Sequence, residues 1–337
     1  MRHASFVVTF LIVSVLAVAQ SKPGGLLTWT PPEHPGPPFG TQLRKVVVVI
    51  HLSCKDTDGK LWLSSGTGFV VGYHDPRLPK EQHFDYLVTN RHVAECRDEK
   101  GLPREVQTVS LQTNFKNGTS ADQLANGNGR LSWYFPTDDS VDLAVTAIAP
   151  SPQVDIITVP LDSFFMKEDF ASQNIGEGAK IVLSGYSYKF SGEPYPLPLV
   201  REGILSMIAD VPLQTTLLKL GTVYLGDVHI FGGNSGSPVF ISTAGIRPSG
   251  IVLDDNYRFL GVVSGFYTED SDFNLEIATT VKGTQHANSG ISMIVPADFL
   301  KDVIMNNAAL KMNREAYFST VIGQQNRSEA GPTPTKP

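Results

Sequence analysis

The sequence predicts an all-β protein closed by a single helix, and three observations carry that expectation. Short runs of β-forming residues recur between turn residues along the whole body of the chain. They do not alternate with long amphipathic helices, as a doubly wound parallel sheet requires. The one clear helical pattern, PADFLKDVIMNNAALKM, follows the last of these runs.

Taken in order, the runs are KVVVVIHLS, GTGFVVGY, FDYLVTN, DLAVTAIA, AKIVLSGYSY, GILSMIAD, SGSPVFIS, FLGVVSGFY and GISMIVP. Their length and spacing suit the strands of a sandwich or barrel. In the closing helix Pro296 suits a first turn, and Phe299, Leu300, Val303 and Ile304 share one apolar face. The segment ahead of the strands, residues 20–40, is so rich in Pro and Gly that it reads as an extended lead. The last residues, 313–337, are polar with prolines near the end and read as a disordered tail.

At the N-terminus Arg2 is followed by an apolar run from Phe6 to Leu16 and then by Ala17-Val18-Ala19. That order is the pattern of a cleaved secretory signal over residues 1–19, and the run is short for a membrane span. The expectation is an exported protein, secreted or periplasmic, without stable membrane insertion after cleavage. The chain has 337 residues and a formal charge of −6, with its basic residues scattered. A nucleic-acid partner, which needs clustered Lys and Arg, is not expected. The two cysteines, Cys54 and Cys96, permit one disulfide in an exported chain, two buried thiols being the alternative. Metal binding is not expected at either one.

Three stretches carry possible chemistry. FDYLVTNRHVAEC is a strand ending at His92, where an imidazole is rigidly placed and partly exposed, as a general base must be. DDSVDLAVTAIA places Asp142 at a strand entrance, where a buried carboxylate could hold an imidazole; Asp138 and Asp139 do not lead directly into the apolar run. GGNSGSPVF sets Ser235 in a glycine turn, with Gly233 two residues earlier. Each alone also reads as an ordinary surface residue or turn.

Together, and in this order, GTGFVV, LVTNRHVA, VDLAV, GGNSGSPVF, LGVVSG and GISMIVP resemble the trypsin-like, chymotrypsin-fold serine peptidases of bacterial type. The resemblance spans about residues 41–312. It implies two packed six-stranded antiparallel β-barrels, over 41–160 and 161–312, the second carrying the C-terminal helix. It also implies an endopeptidase acting on protein or peptide substrates through an acyl-enzyme, with no cofactor. His92 stands at the general base, Asp142 at the orienting carboxylate and Ser235 at the nucleophile, with the N–H groups of Gly233 and Ser235 as the oxyanion hole. A catalytically silent peptide-binding protein on the same fold is the alternative.

Departures and specificity residues complete the reading. Asn234 stands where digestive members of the family carry an aspartate that pairs with a freed N-terminus, so activation by that ion pair is not expected. Cys96 lies four residues after His92, and a bridge to Cys54 would pin the histidine helix. His229, six residues before Ser235, falls where the family often floors its primary pocket. Ser264, Gly265 and Phe266 would form the pocket wall and the edge to which a peptide adds as a strand. The nucleophile motif resembles that of glutamyl endopeptidases, although GVVSGF lacks the histidine which those enzymes carry on that strand.

Overall fold

In the computed structural model, residues 38–98, 100–188, 196–247, 250–252, 256–276 and 280–329 are described. The expected signal at 1–19 and the expected lead up to residue 37 lie outside them. The final residues of that lead, from Phe39, begin a short helix, α1 (Phe39–Leu43).

The first half of the chain forms β1 (Val47–Lys55), β2 (Leu61–Tyr73), β3 (Phe84–Thr89), β4 (Glu105–Asn114), β5 (Ser120–Leu124), β6 (Ala144–Ile148) and the short β7 (Val159–Pro160). They hydrogen-bond in the order β5-β4-β1-β2-β3-β6, with β7 parallel to β2. A four-residue helix, α2 (Arg91–Ala94), follows β3, and α3 (Lys167–Gln173) begins the second half.

Ten strands follow: β8 (Lys180–Gly185), β9 (Leu199–Ile208), β10 (Leu213–Gln214), β11 (Leu220–Gly221), β12 (Tyr224–Asp227), β13 (Pro238–Ser242), β14 (Gly245–Arg247), β15 (Gly250–Val252), β16 (Tyr257–Glu276) and β17 (Thr280–Pro296). Six of them close a barrel in the order β12-β17-β16-β13-β8-β9, while β10-β11 and β14-β15 are separate hairpins. Closure leaves these six strands no unpaired edge. The body ends in α4 (Ala297–Asn306) and α5 (Ala308–Glu329).

The expected pair of six-stranded barrels therefore takes a different form. The second half is a closed barrel, but the first is a seven-stranded sheet. Between β5 and β6 the chain makes one 3-10 turn, Ala125–Gly127, then runs as loop, and among the described residues it pairs with the sheet through one isolated bridge, Tyr134↔Val145, not through a ladder. The polar composition of NGNGRLSWYFPTDDS, with its glycines and aspartates, favours turns there over a strand.

The apolar runs are continuous, not alternating, because both faces of these strands are buried. In β1, Val48, Ile50, Leu52 and Cys54 point into the first sheet's own core, while Val47 and Val49 face a central core. In β13, Val239 and Ile241 fill the closed barrel and Phe240 points out to that same central core. The central core joins both halves through Phe69, Phe164, Phe240 and Phe259, and α4 adds Leu300, Val303 and Ile304.

The chain beyond residue 312 is not the expected disordered tail as far as residue 329, because α5 carries it as helix. Arg314 is 6% exposed and donates to the Tyr86 hydroxyl (2.7 Å) and to the Ile304 carbonyl (2.9 Å). Phe318 packs edge-on to Phe84 and lies under the Arg77 guanidinium, which also pairs with Asp75 and Glu315. A helix docked by arginines reads as solvent-facing when hydropathy is the guide, which is why this stretch resembles a tail. Arg314→Ala leaves the Tyr86 hydroxyl unpaired inside the protein. It should lower stability by about 2–3 kcal/mol, seen as a lower urea midpoint at unchanged slope.

Candidate active site

The β3 strand ends at Thr89, and Asn90 turns the chain into α2, whose second residue is His92. Asn90 is fully buried, and its side-chain amide donates to the Asp142 carbonyl (2.8 Å), tying the histidine turn to the start of the 142–148 run. Cys96, just past α2, is joined by a disulfide to Cys54 near the end of β1, with their Cα atoms 6.5 Å apart. The bridge raised from the sequence is thus present in the structure.

Asp142 is 1% exposed. Its Oδ1 accepts the His92 backbone N–H (2.9 Å), and its Oδ2 accepts from both His92 Nδ1 (2.6 Å) and the Thr216 hydroxyl (2.6 Å). Burial alone pushes this carboxyl upward. The charge of His92 and the hydrogen bonds from its ring, from Thr216 and from the His92 backbone outweigh that effect and hold it below the usual 3.8. A carboxylate only accepts, so the proton between the two groups belongs to Nδ1, and when the ring is neutral the lone pair lies on Nε2. The His92 side chain remains 27% exposed.

The serine loop is built by a turn. The Asn234 N–H bonds the Phe231 carbonyl (3.0 Å), and Gly233, third in this four-residue turn, has φ +99°. Gly232 is not in the positive-φ region, so the turn is type II, which places glycine at its third position. The Gly232 carbonyl accepts from the Tyr188 N–H (3.2 Å), so the N–H on the other edge of that planar peptide, that of Gly233, points the opposite way. Among the described residues, neither the Gly233 N–H nor the Ser235 N–H has an internal partner.

Asn234, fully buried, secures the turn by accepting the Phe231 N–H (2.7 Å) and donating to the Tyr186 carbonyl (2.7 Å). A neutral amide thus holds the loop from inside, and no ion pair with a chain terminus is needed at this position.

Thr67 of β2, within the GTGFVV motif, ties the loop to the first sheet. Its hydroxyl donates to the Gly233 carbonyl (2.7 Å) and its N–H to the Ser235 carbonyl (2.9 Å). Its own carbonyl accepts from Thr89, two residues before α2 begins (2.8 Å). Gly236 must lack a side chain, since a Cβ there would lie 2.0 Å from the Thr67 carbonyl oxygen. At Gly66 a Cβ would meet both Val93 of α2 (2.9 Å) and the Ser235 carbonyl (3.3 Å), so one strand carries the histidine helix and the serine loop side by side. Neither Thr67 nor Thr216 stands out in the sequence, apart from the place of Thr67 within GTGFVV.

The remaining sequence-derived residues divide. The Gly236 N–H bonds the Val263 carbonyl (2.9 Å), so Ser264 follows directly along β16. Ser264, 1% exposed, lines a cleft with His92, Arg97, Gly101, Thr216 and Leu218. Gly265 and Phe266 continue β16 and are half-buried. His229 is exposed and lies beside Gly290 of β17, whose added Cβ would be 3.0 Å from the His229 ring. It is not the buried residue that flooring a pocket demands. The Ser235 hydroxyl makes no hydrogen bond among the described residues. Nor are three His, Cys, Asp or Glu side chains grouped there as metal ligands.

Two outcomes follow from these contacts. Asn234→Ala strips partners from the Phe231 N–H and the buried Tyr186 carbonyl, and should cost about 1–3 kcal/mol in denaturant titrations. Because Asp142 ionises below its unfolded value, the stability it contributes is complete above that value and is lost as pH falls through the folded one, below 3.8. Asp142→Asn should therefore flatten the fall in stability on the acid side of pH 3.8, measured by urea unfolding across that range.

No protein-family model and no curated protein matches the chain. Among solved structures it is similar to the HtrA-type protease AlgW with tripeptide, at 16% identity and a TM-score of 0.43, over 79% of this chain and 62% of that one. The same protease with decapeptide gives 15% identity and a TM-score of 0.44, over 79% and 66%. Deg5 gives 16% identity and a TM-score of 0.42, over 79% and 91%. The chain therefore spans 62% of the length of the AlgW structure with tripeptide, and what it does is read from its own residues.

Proposed function

We propose that the chain is an exported serine endopeptidase of the chymotrypsin-like type. The observation that carries this reading is the contact between buried Asp142 and His92 Nδ1 at 2.6 Å, which leaves Nε2 as the base on a residue that lines a cleft. Support also comes from the serine loop, where a type II turn leaves two backbone N–H groups, those of Gly233 and Ser235, without internal partners.

In this mechanism the Ser235 hydroxyl attacks the scissile carbonyl while His92 Nε2 takes its proton. The carbonyl oxygen, now an oxyanion, is received by the N–H groups of Gly233 and Ser235, one such donor typically lowering the barrier by about 3 kcal/mol. His92 then gives the proton to the leaving amine, and an acyl group remains on Ser235. Water, deprotonated by the same imidazole, attacks the ester, and the imidazolium returns that proton to Ser235 Oγ as the carboxylic acid product leaves. Asp142 keeps the ring in one tautomer and stabilises the imidazolium of each transition state. The contact between Ser235 and His92 belongs to this proposal and closes when substrate is bound, as such contacts commonly tighten only then. Ser264, Gly265 and Phe266 supply the strand edge for the substrate backbone.

Export rests on the signal pattern of residues 1–19 and agrees with the Cys54–Cys96 disulfide, a bond that persists in oxidising compartments. No described helix is long and apolar enough to cross a membrane.

A fluorophosphonate probe should label the mature protein once, on Ser235. Ser235→Ala should abolish labelling and lower peptide hydrolysis by at least about 10⁴-fold in a peptide-library assay, with folding intact. Folded wild-type protein that neither takes the probe nor cleaves any peptide would replace this reading with that of a silent peptide-binding protein.

A further inference from the structure

We infer that Thr216 is a positioning residue for the His92–Asp142 pair, and that the β10–β11 hairpin exists in part to deliver it. The inference rests on the peptidase reading for its consequence, but its geometry is independent of it. Thr216 comes from the second half of the chain and Asp142 from the first, 74 residues earlier. Its hydroxyl donates to Oδ2, the same oxygen that accepts from His92 Nδ1. Without it, that oxygen would keep the imidazole bond but lose the second donor that fixes where it lies. Burial to 1% exposure leaves little water to take the donor's place.

The hairpin's construction is consistent with that delivery. Its turn is locked by the Thr215 N–H to the Lys219 carbonyl (2.8 Å) and the Leu218 N–H to the Thr215 carbonyl (2.9 Å), with Leu218 in the left-handed region at φ +59°. A non-glycine residue held there signals a conformation imposed by its surroundings. Three contacts seat the hairpin. The Lys219 ammonium pairs with Asp139, the Tyr267 hydroxyl donates to the Gln214 carbonyl (2.9 Å), and Gly221 packs on Ser140, where a Cβ would fall 2.4 Å from the hydroxyl. On the opposite side, Gly265 of β16 leaves room for the Thr216 methyl, since a Cβ there would lie 2.5 Å from it. Thr216 is thus gripped by its methyl on the barrel side and by its hydroxyl on the acid. The strand edge expected to receive the substrate backbone is in van der Waals reach of the residue that orients the carboxylate.

The test compares Thr216→Val, which keeps the shape and loses the hydroxyl, with Thr216→Ser, which keeps the hydroxyl. Two readouts are taken: the rate of fluorophosphonate labelling, and the far-downfield proton resonance of the His92 Nδ1–H in the NMR spectrum. Thr216→Val should slow labelling by about tenfold or more and shift the resonance, with a lowered melting temperature that still leaves the protein folded at the assay temperature. Thr216→Ser should remain within about threefold of wild type and leave the resonance in place. A Thr216→Val protein that labels at the wild-type rate with an unmoved resonance overturns the inference. If the wild type itself is not labelled, the peptidase reading fails while the resonance still decides whether Thr216 holds Asp142: a shift in Thr216→Val alone supports the hold, and no shift refutes it.

Discussion

A carboxylate taken out of water must be given donors, and the burial of Asp142 makes that requirement strict. Removing an ionised carboxyl from solvent costs several kcal/mol unless partners replace the lost water. Here three donors do so: the backbone and ring of His92, and the hydroxyl of Thr216. Because each has to arrive at a fixed distance, satisfying this one group sets the position of α2, the tautomer of His92 and the seat of a hairpin from the other half of the chain. The chemistry proposed for the site depends on that arrangement, since a base whose ring could turn would not present Nε2 in one direction.

The rest of the fold keeps those donors in place. Strands buried on both faces share their alternate side chains between a local core and the central one, so the two halves cannot shift without opening phenylalanine contacts such as Phe69 with Phe259. Thr67 adds a polar version of the same coupling. It bonds the serine loop with its hydroxyl and N–H, and receives Thr89 on its carbonyl. The histidine turn, the acid and the serine loop are therefore set by one sheet and one barrel packed on a common core, which is the rigidity a preorganised site requires.

Much of this was legible in the chain itself. His92, Asp142 and Ser235 stand out because each follows or begins an apolar β-run, and local pattern is what sequence reports best. The same runs point no further than a sandwich or barrel, and the closed barrel comes only with the family resemblance, whereas the open first sheet turns on a loop that pairs with it at one isolated bridge, Tyr134↔Val145. Thr216 was illegible, because its partner is 74 residues away and nothing in TTLLKL marks it. The docking of α5 was hidden for a related reason: Arg314 is polar in the sequence and buried in the fold, where Tyr86, Ile304 and the Tyr73 ring receive it. His229 shows the converse: six residues before Ser235 in the sequence, it is exposed beside Gly290 in the structure.

The central claim is that the serine loop and the His92–Asp142 pair act on one reacting carbon. A crystal structure of the protein soaked with a peptide boronic acid tests it most directly, because the boron mimics the tetrahedral centre. The account predicts a covalent bond from Ser235 Oγ to boron, one boronate oxygen within hydrogen-bonding distance of both the Gly233 and Ser235 N–H groups, and the other facing His92 Nε2. An adduct on another residue, or a boronate oxygen pointing away from those two N–H groups, would contradict it.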